Sequence, residues 1–258
     1  MPKQPTKKRK TMGAPYGSAS GKRYSAQPRT GQTFNYVPRV PGNPTALTER
    51  KYFDTELNNK TLSLLSSGWV NTECDPATLD NLFSPGIGTA FYQRVGRKVC
   101  LKSLRIHGYV EYPSVVNTAS AFLDAPILIR IILYQDKQTN GVQSQGEDVI
   151  GSGAGNVAVA MFQNPQNFGR YRVLKDKKIS LNITATNYVG SDTQMTGNLR
   201  SFNWNIRFRK PLIVNFNSQN TGNVADIVDN SFHVIAGVNR QDTDAKLYYK
   251  ARAVFVDN

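Results

Sequence analysis

The stretch RVGRKVCLKSLRIHGYVEY, residues 94–112, contains the alternation that decides the fold. Its apolar side chains occupy odd positions at Val99 and Leu101, and even positions from Leu104 onward. Alternation with a period of two is typical of a β-strand that has one face on a core. A change of parity near Lys102 and Ser103 indicates one extra residue, because an extra residue turns the following side chains to the other face. We therefore predict a long antiparallel strand that carries a β-bulge.

Two further segments alternate in the same way and extend the β pattern toward the C-terminal end. Residues 202–209 place aromatic or aliphatic side chains at even positions and polar or basic ones between them. Residues 247–255 place apolar side chains at odd positions. Pro211 lacks a backbone N–H and is therefore expected to end or kink the first of these strands.

The central part of the chain predicts two strands that differ in burial. Apolar side chains in residues 171–184 fall at odd positions, so Tyr171, Val173 and Ile179 are predicted to share one face. Residues 127–135 are apolar almost without interruption, and such a run predicts a strand that is covered on both faces.

These patterns together predict an all-β fold. Six to nine strands without alternating helices indicate a sandwich of two antiparallel sheets. The pattern alone does not separate a jelly roll from an immunoglobulin-like topology, but the long connections at residues 75–89, 136–155 and 187–199 favour a jelly roll. We therefore predict a single jelly-roll β-sandwich over residues 48–258.

The charge of the chain is distributed unevenly. Its 258 residues include 32 Lys and Arg against 18 Asp and Glu, which gives a net charge of +14. Residues 1–47 have few aliphatic side chains and no acidic one, and such a segment cannot bury enough apolar surface to offset the entropy of ordering. We therefore predict a disordered basic arm over residues 1–47. Its basic residues are Lys3, Lys7, Lys8, Arg9, Lys10, Lys22, Arg23, Arg29 and Arg39.

The arm has features of two kinds of binding. Aromatic side chains are interleaved with its cations, an arrangement that suits stacking on unpaired bases and contact with phosphates. A compact basic cluster near its start has the form that nuclear import receptors recognise, although a short cluster is also compatible with a solvated tail. The predicted nuclear localisation signal comprises Pro5, Thr6, Lys7, Lys8, Arg9 and Lys10.

Residues that carry enzyme chemistry are scarce in this sequence. His107 and His233 fall inside separate strand patterns, far apart in the chain. Cys74 and Cys100 are too few for a disulfide framework or a structural zinc site, which usually needs four Cys or His ligands. We therefore expect no enzyme activity, no cofactor and no catalytic metal.

Cation binding and membrane insertion have equally weak support. Asp242 and Asp244 have a spacing that is compatible with a cation such as Ca²⁺, but two carboxylates in a loop are more often solvated. No apolar stretch reaches the ~20 residues that a membrane helix requires. We therefore expect no membrane insertion.

Three motifs resemble successive landmarks of a viral protein family. They are Tyr-Phe-Asp at residues 52–54, Gln-Arg-Val-Gly-Arg-Lys-Val at residues 93–99, and Arg-Tyr-Arg-Val-Leu-Lys-Asp-Lys at residues 170–177. In order and spacing they are similar to motifs in the capsid proteins of small circular Rep-encoding single-stranded DNA viruses, a group that includes circoviruses and geminiviruses. The arm departs from the circovirus pattern because it relies on lysine more than on arginine.

The resemblance implies a capsid protein whose jelly roll assembles with copies of itself, most simply sixty, into an icosahedral shell. Such a shell encloses circular single-stranded DNA, so the protein is expected in the virion and, with the help of import receptors, in the host nucleus. Arg94, Arg97, Lys98 and Lys102 are expected to add an ordered inner patch that binds nucleic acid, although charges at a strand edge equally discourage unwanted pairing.

Three alternatives stay open at this point. The chain is also compatible with a nucleic-acid-binding β-sandwich that forms no shell, because the basic arm alone suits that role. Single-stranded RNA and satellite viruses use similar jelly rolls with basic arms, and electrostatics does not separate the two polymers. An enzyme is the third alternative, and it would have to depend on His107 or His233.

Overall fold

The computed structural model describes residues 49–62, 70–71, 81–112, 115–117, 127–151, 159–181, 184–189, 192–196, 199–239 and 245–257. The predicted arm, together with Cys74, Asp242 and Asp244, lies outside these residues. A short helix, α1 (Gly146–Ile150), and the 3-10 turns Pro165–Asn167 and Val224–Asp226 lie in the connections. The strands are β1 (Lys51–Thr61), β2 (Val70–Asn71), β3 (Lys98–Glu111), β4 (Val115–Asn117), β5 (Ile127–Asp136), β6 (Tyr171–Leu181), β7 (Thr184–Val189), β8 (Asp192–Thr196), β9 (Leu199–Asn215), β10 (Ser231–Val238) and β11 (Lys246–Asp257).

Eight of these strands form two four-stranded antiparallel sheets. The first sheet has the spatial order β1, β11, β3, β9, and the second has the order β2, β10, β5, β6. The chain passes repeatedly from one sheet to the other, so that each sheet combines strands that are distant in sequence. This order is that of a jelly roll, and the predicted all-β sandwich is confirmed. Strands β4, β8 and β7 form a small additional sheet.

Side chains from both sheets meet in one apolar core. Leu104 of β3, Ile129 of β5 and Phe232 of β10 belong to the same cluster, and each is fully buried. Phe83, from the loop before β3, packs edge-on against Phe255 of β11 with ring centroids 5.3 Å apart. Burial of one such side chain contributes about 1.5–3 kcal/mol, so this shared core holds the two sheets together.

The predicted bulge in the opening strand is confirmed. The pairing of β3 with both of its neighbours shifts register between Leu101 and Ser103, which leaves Lys102 as the extra residue. Val99 and Leu101 before the shift, and Leu104 after it, are all fully buried. The change of parity in the sequence is therefore the bulge itself.

Strand β5 is covered on both faces, as its continuous apolar run predicts. Ile129 and Ile131 point into the core between the sheets, whereas Ile132 and Tyr134 belong to a second buried cluster on the opposite face. Helix α1 contributes to that cluster through Val149. The second sheet is therefore shielded from solvent by the connection between β5 and β6.

The predicted common face of β6 is wrong. Tyr171 and Val173 pack into the outer cluster beneath α1, whereas Ile179 packs into the core between the sheets. The register of β5 and β6 shifts between Leu133 and Tyr134, opposite Leu174. One extra residue at Leu174 thus turns the two halves of the strand to opposite faces.

Pro211 does not end strand β9, which continues to Asn215. In the pairing of β9 with β3, Arg207 lies opposite Ser103 and Leu212 lies opposite Leu101. The four residues between them, including Pro211, therefore stand opposite a single residue, Lys102. A proline is tolerated there because β9 is an edge strand and Pro211 lies in the irregular stretch of the ladder, where a missing N–H donor costs little.

Candidate nucleic-acid interface

The outer face of the first sheet, turned away from the core, is lined by polar and charged side chains. One row across β1, β11, β3 and β9 consists of Asp54, Arg252, Arg105 and Asn205. These side chains are exposed because the period of two that buries their neighbours turns them to solvent. The next row brings together Glu56, Lys250, His107 and Asn203.

Two cations of this face have carboxylate partners. Arg252 donates two hydrogen bonds to Asp54, at 2.7 and 2.6 Å, and the Lys250 ammonium lies 2.9 Å from the Glu56 carboxylate. The hydrogen bond to Asp54 raises the pKa of Arg252, and the hydrogen bond to Glu56 raises the pKa of Lys250. Both cations stay charged at neutral pH, but their charges are balanced locally.

Four further cations surround an adjacent depression of about 690 Å³. Arg50, Lys102, Arg105 and Arg207 line this basic groove together with the paired Arg252. Within the part of the chain that the structure describes, none of the four forms an ion pair. A concave surface with an excess of unbalanced positive charge attracts polyanions and raises their local concentration. The basic groove is therefore the candidate functional site of the described residues.

Stacked aromatic rings lie on the same face, further along strands β3 and β11. The rings of Tyr109 and Tyr248 are nearly parallel, at 13°, with centroids 4.7 Å apart. Burial raises the pKa of Tyr248, and the nearby charge of Glu111 adds to the effect. Both rings are half-buried, so each keeps surface that a nucleic-acid base is able to stack on.

The predicted inner patch divides into three parts. Arg97 and Lys98 are exposed at the start of β3, and Lys102 lies in the basic groove. Arg94 is fully buried, so its prediction as a nucleic-acid contact is wrong. The nine predicted cations of the arm lie outside the described residues and stay predictions.

Arg94 has a structural task that explains its burial. Its guanidinium donates hydrogen bonds to the backbone carbonyls of Pro85 at 3.1 Å, Gly96 at 2.9 Å and Gln219 at 3.0 Å. The guanidinium carbon also lies 4.4 Å from the centre of the Phe216 ring. Burial lowers the pKa of Arg94. Each of its three guanidinium nitrogens donates to a carbonyl within the protein, and the fully buried group is not accessible to a phosphate.

No protein-family model and no curated protein matches this chain.

The two histidines lie in different surroundings. His107 is exposed on the outer face of the first sheet. His233 is fully buried in the second sheet, where its Nε2 lies 2.7 Å from the Ser231 hydroxyl and its ring stacks on Tyr134. The described residues do not bring the two imidazoles into one cluster with other ligands, and they contain no group of three His, Cys, Asp or Glu side chains that is suited to a metal ion.

None of the helices among the described residues is long and apolar enough to span a membrane.

Most of the basic groove is not evident from the sequence. Arg105 and Arg207 were visible as polar positions between buried ones, but a strand pattern does not reveal which strands are neighbours. The side chains of β3, β9 and β11 come together only through the jelly-roll order, which places β11 between β1 and β3. Alternation combined with that topology would have identified both arginines.

Proposed function

We propose that this chain is a viral capsid protein that assembles with copies of itself into a small icosahedral shell and packages single-stranded DNA. The observation that carries the proposal is the basic groove on a jelly-roll sheet, with four cations that lack carboxylate partners among the described residues. A jelly roll with a charged sheet face and a basic arm is well suited to enclosing a polyanion. The resemblance of three sequence motifs to capsid proteins of small circular single-stranded DNA viruses supports the same role.

The physical basis of packaging is counterion release. Each cation that neutralises a phosphate frees a condensed counterion, so binding is strong, independent of sequence and weakened by salt. If sixty copies each contribute nine arm charges, the interior gains on the order of 500 positive charges, enough to balance several hundred phosphates. In this proposal the basic groove adds an ordered surface to the nine basic residues of the predicted arm. The proposed locations are the virion and, through import receptors that bind residues 5–10, the host nucleus.

Assembly is tested on the purified full-length chain. We expect electron microscopy to find closed particles of roughly 20 nm, the size that a shell of sixty such subunits implies. The enclosed polymer is then typed by its sensitivity to deoxyribonuclease and ribonuclease after the particles are opened. A chain that stays monomeric across a wide range of salt and pH contradicts the shell, and enclosed RNA contradicts the DNA part of the proposal.

The role of the basic groove is tested by removing two of its charges. In the double substitution Arg105→Gln and Arg207→Gln, the slope of log affinity against log salt for single-stranded DNA is expected to fall by about 1.4, because each lost phosphate contact contributes about 0.7. The matched control, Lys137→Gln with Lys178→Gln, removes two exposed charges outside the groove and is expected to leave the slope unchanged. Equal effects of the two variants would show that only net charge matters.

A second candidate function is a nucleic-acid-binding protein that forms no shell. The same basic groove favours it, since binding by the groove does not require assembly. Deletion of residues 1–47 distinguishes the two functions. A shell protein is expected to lose packaged DNA while it still forms particles, whereas a non-shell protein is expected to remain a small oligomer with and without the arm.

A further inference from the structure

The loop that leads from β2 into β3 presents an exposed apolar surface. Ile87, Phe91, Tyr92 and Val95 are 38%, 61%, 48% and 63% exposed, and we refer to these four residues as the aromatic loop. The rings of Phe91 and Tyr92 pack edge-on with centroids 5.3 Å apart. Exposed apolar clusters of this kind mark surfaces that bind other proteins.

Buried polar groups hold the aromatic loop in a fixed shape. Arg94 ties both sides of the loop together through its three carbonyl acceptors. The ammonium of Lys51 donates to the carbonyl of Gln93 at 2.9 Å and pairs with Asp257 at 2.8 Å. The Tyr52 N–H donates to the Phe91 carbonyl at 3.0 Å. The exposed rings are thus preorganised, and ordering them on binding costs little entropy.

The connection between β5 and β6 presents a second exposed apolar surface. Phe162 is 90% exposed and Phe168 is 56% exposed. The segment that carries them is fixed to helix α1, because the Asn164 N–H donates to the Val149 carbonyl at 2.9 Å and the Asn167 amide donates to the Asp148 carbonyl at 2.9 Å.

The two apolar surfaces are flanked by opposite charges. Arg97 and Lys98 follow the aromatic loop, and both are exposed without an ion pair in the described part of the chain. Glu147 and Asp148 lie on α1 beside the second surface, also exposed and without an ion pair among the described residues. We refer to Glu147, Asp148, Phe162 and Phe168 as the acidic patch.

We propose that the aromatic loop of one copy of this chain packs against the acidic patch of a second copy. The two surfaces are complementary in charge, and each offers aromatic anchors of the kind that dominate protein interfaces. Because they are different surfaces of the same chain, the contact is head-to-tail and each copy keeps one surface free for a further copy. Repetition of such a contact closes into rings when the rotation allows it, as a shell requires. The inference rests on the proposed function and names the surfaces that would join the subunits.

Charge reversal tests the pairing directly. The double substitution Arg97→Glu with Lys98→Glu, or Glu147→Lys with Asp148→Lys, is expected to raise the concentration needed for assembly at least about tenfold. A chain that carries all four substitutions is expected to assemble at nearly the wild-type concentration, because the charges are again complementary. Phe162→Ser removes an anchor without disturbing the core and is expected to raise that concentration by at least about tenfold.

Light scattering and electron microscopy of full-length chains supply the measurement, with urea unfolding as a check that each variant folds. Arg172→Glu with Lys178→Glu on β6 changes the net charge by the same amount as Arg97→Glu with Lys98→Glu and is expected to leave assembly unaltered. Double variants that assemble like the wild type, or a fourfold variant that is no better than the doubles, overturn the contact alone. A control that fails equally overturns it as well. A wild-type chain that never assembles overturns the proposed shell together with the contact.

Discussion

Replacement of Arg94 by methionine is the most informative test of the fold. Methionine keeps an unbranched apolar stem but removes the donors that now serve the carbonyls of Pro85, Gly96 and Gln219. Pro85 is buried, so its carbonyl loses its partner without access to water, at a cost of about 2 kcal/mol. Gly96 and Gln219 are partly or fully exposed, and water replaces the guanidinium there at a cost nearer to about 0.5 kcal/mol each.

Two other effects of Arg94→Met change the free energy of unfolding in opposite directions. The lost stacking of the guanidinium on Phe216 removes roughly 1 kcal/mol. Relief from burying a charge offsets part of the loss, because a guanidinium in the interior carries a desolvation penalty of several kcal/mol. The guanidinium's hydrogen bonds already compensate most of that penalty, so a relief of only about 1 kcal/mol stands against losses of about 4 kcal/mol, and we expect a net loss of about 3 kcal/mol. That is a large part of the 5–15 kcal/mol typical of a folded domain.

The assay is thermal unfolding of the full-length chain, with hydrogen exchange as a local readout. A loss of about 3 kcal/mol lowers the Tm by roughly 6–12 °C in a domain of this size. The amide of Gly88 donates to the carbonyl of residue 94 and is expected to exchange faster in the variant than in the wild type. The increase is expected to be larger than that of the amides of β5. Arg97→Met, at an exposed position of the same loop, is the control and is expected to change stability by less than about 0.5 kcal/mol. If Arg94→Met matches that control, the buried arginine does not hold the loop.

Three further predictions follow from the described contacts. Gly108→Ala is expected to lower the free energy of unfolding in urea by about 2 kcal/mol, because a Cβ there would lie 2.5 Å from the Tyr248 carbonyl. Gly169→Ala is its control, since a Cβ there would have no atom within 4 Å, and equal losses would contradict the steric reason. Arg170→Gln is expected to lose about 3–5 kcal/mol in urea unfolding, because it leaves the fully buried Asp136 carboxylate without the two hydrogen bonds that Arg170 donates. Asp136→Asn is expected to lose less, about 1–3 kcal/mol, because the freed Arg170 side chain is partly exposed and water solvates it, so equal losses would contradict this reason. Burial raises the pKa of Tyr171, so its contribution to stability is complete below the unfolded pKa of about 10 and is lost as pH rises through the folded value. The decline in unfolding free energy above about pH 10 should therefore be less steep in Tyr171→Phe, and identical slopes would refute this assignment.

The fold was predictable in strands whose buried faces show a regular alternation or an unbroken apolar run in the sequence. The change of parity at Lys102 locates the bulge in β3, and the apolar run of β5 indicates that both of its faces are covered. The prediction failed at Leu174, because the cations that follow it on β6 hide the change of parity that Tyr171 and Ile179 would otherwise reveal. An exposed edge strand tolerates charge on both faces, so its pattern carries less information.

The candidate site was less predictable than the fold. Arg94 lies in a run of basic residues, and nothing in that run distinguishes a buried arginine from its exposed neighbours Arg97 and Lys98. Its surroundings include the Phe216 ring and the carbonyl of Gln219, and the latter is 125 positions away in the chain. Arg207 and Arg105 form one surface for the same reason, since β9 and β3 pair only in the folded protein. Local alternation indicates which face of a strand a side chain occupies. Long-range contacts determine which residues surround it and whether a loop residue such as Arg94 is buried.

The central place of β11 in the first sheet has a consequence for how the polypeptide acquires its structure. Arg252 on this strand bonds to Asp54 on β1, 198 positions earlier, and the whole length of β3 pairs with the other side of β11. A nascent chain therefore cannot complete this sheet until residue 257 has left the ribosome, and pairing over such separations is slow. The floor of the basic groove is built late, so its cations come together only after translation has passed the jelly roll. Until then β1 and β3 expose unpaired edges, and this interval is when we expect chaperones to matter most.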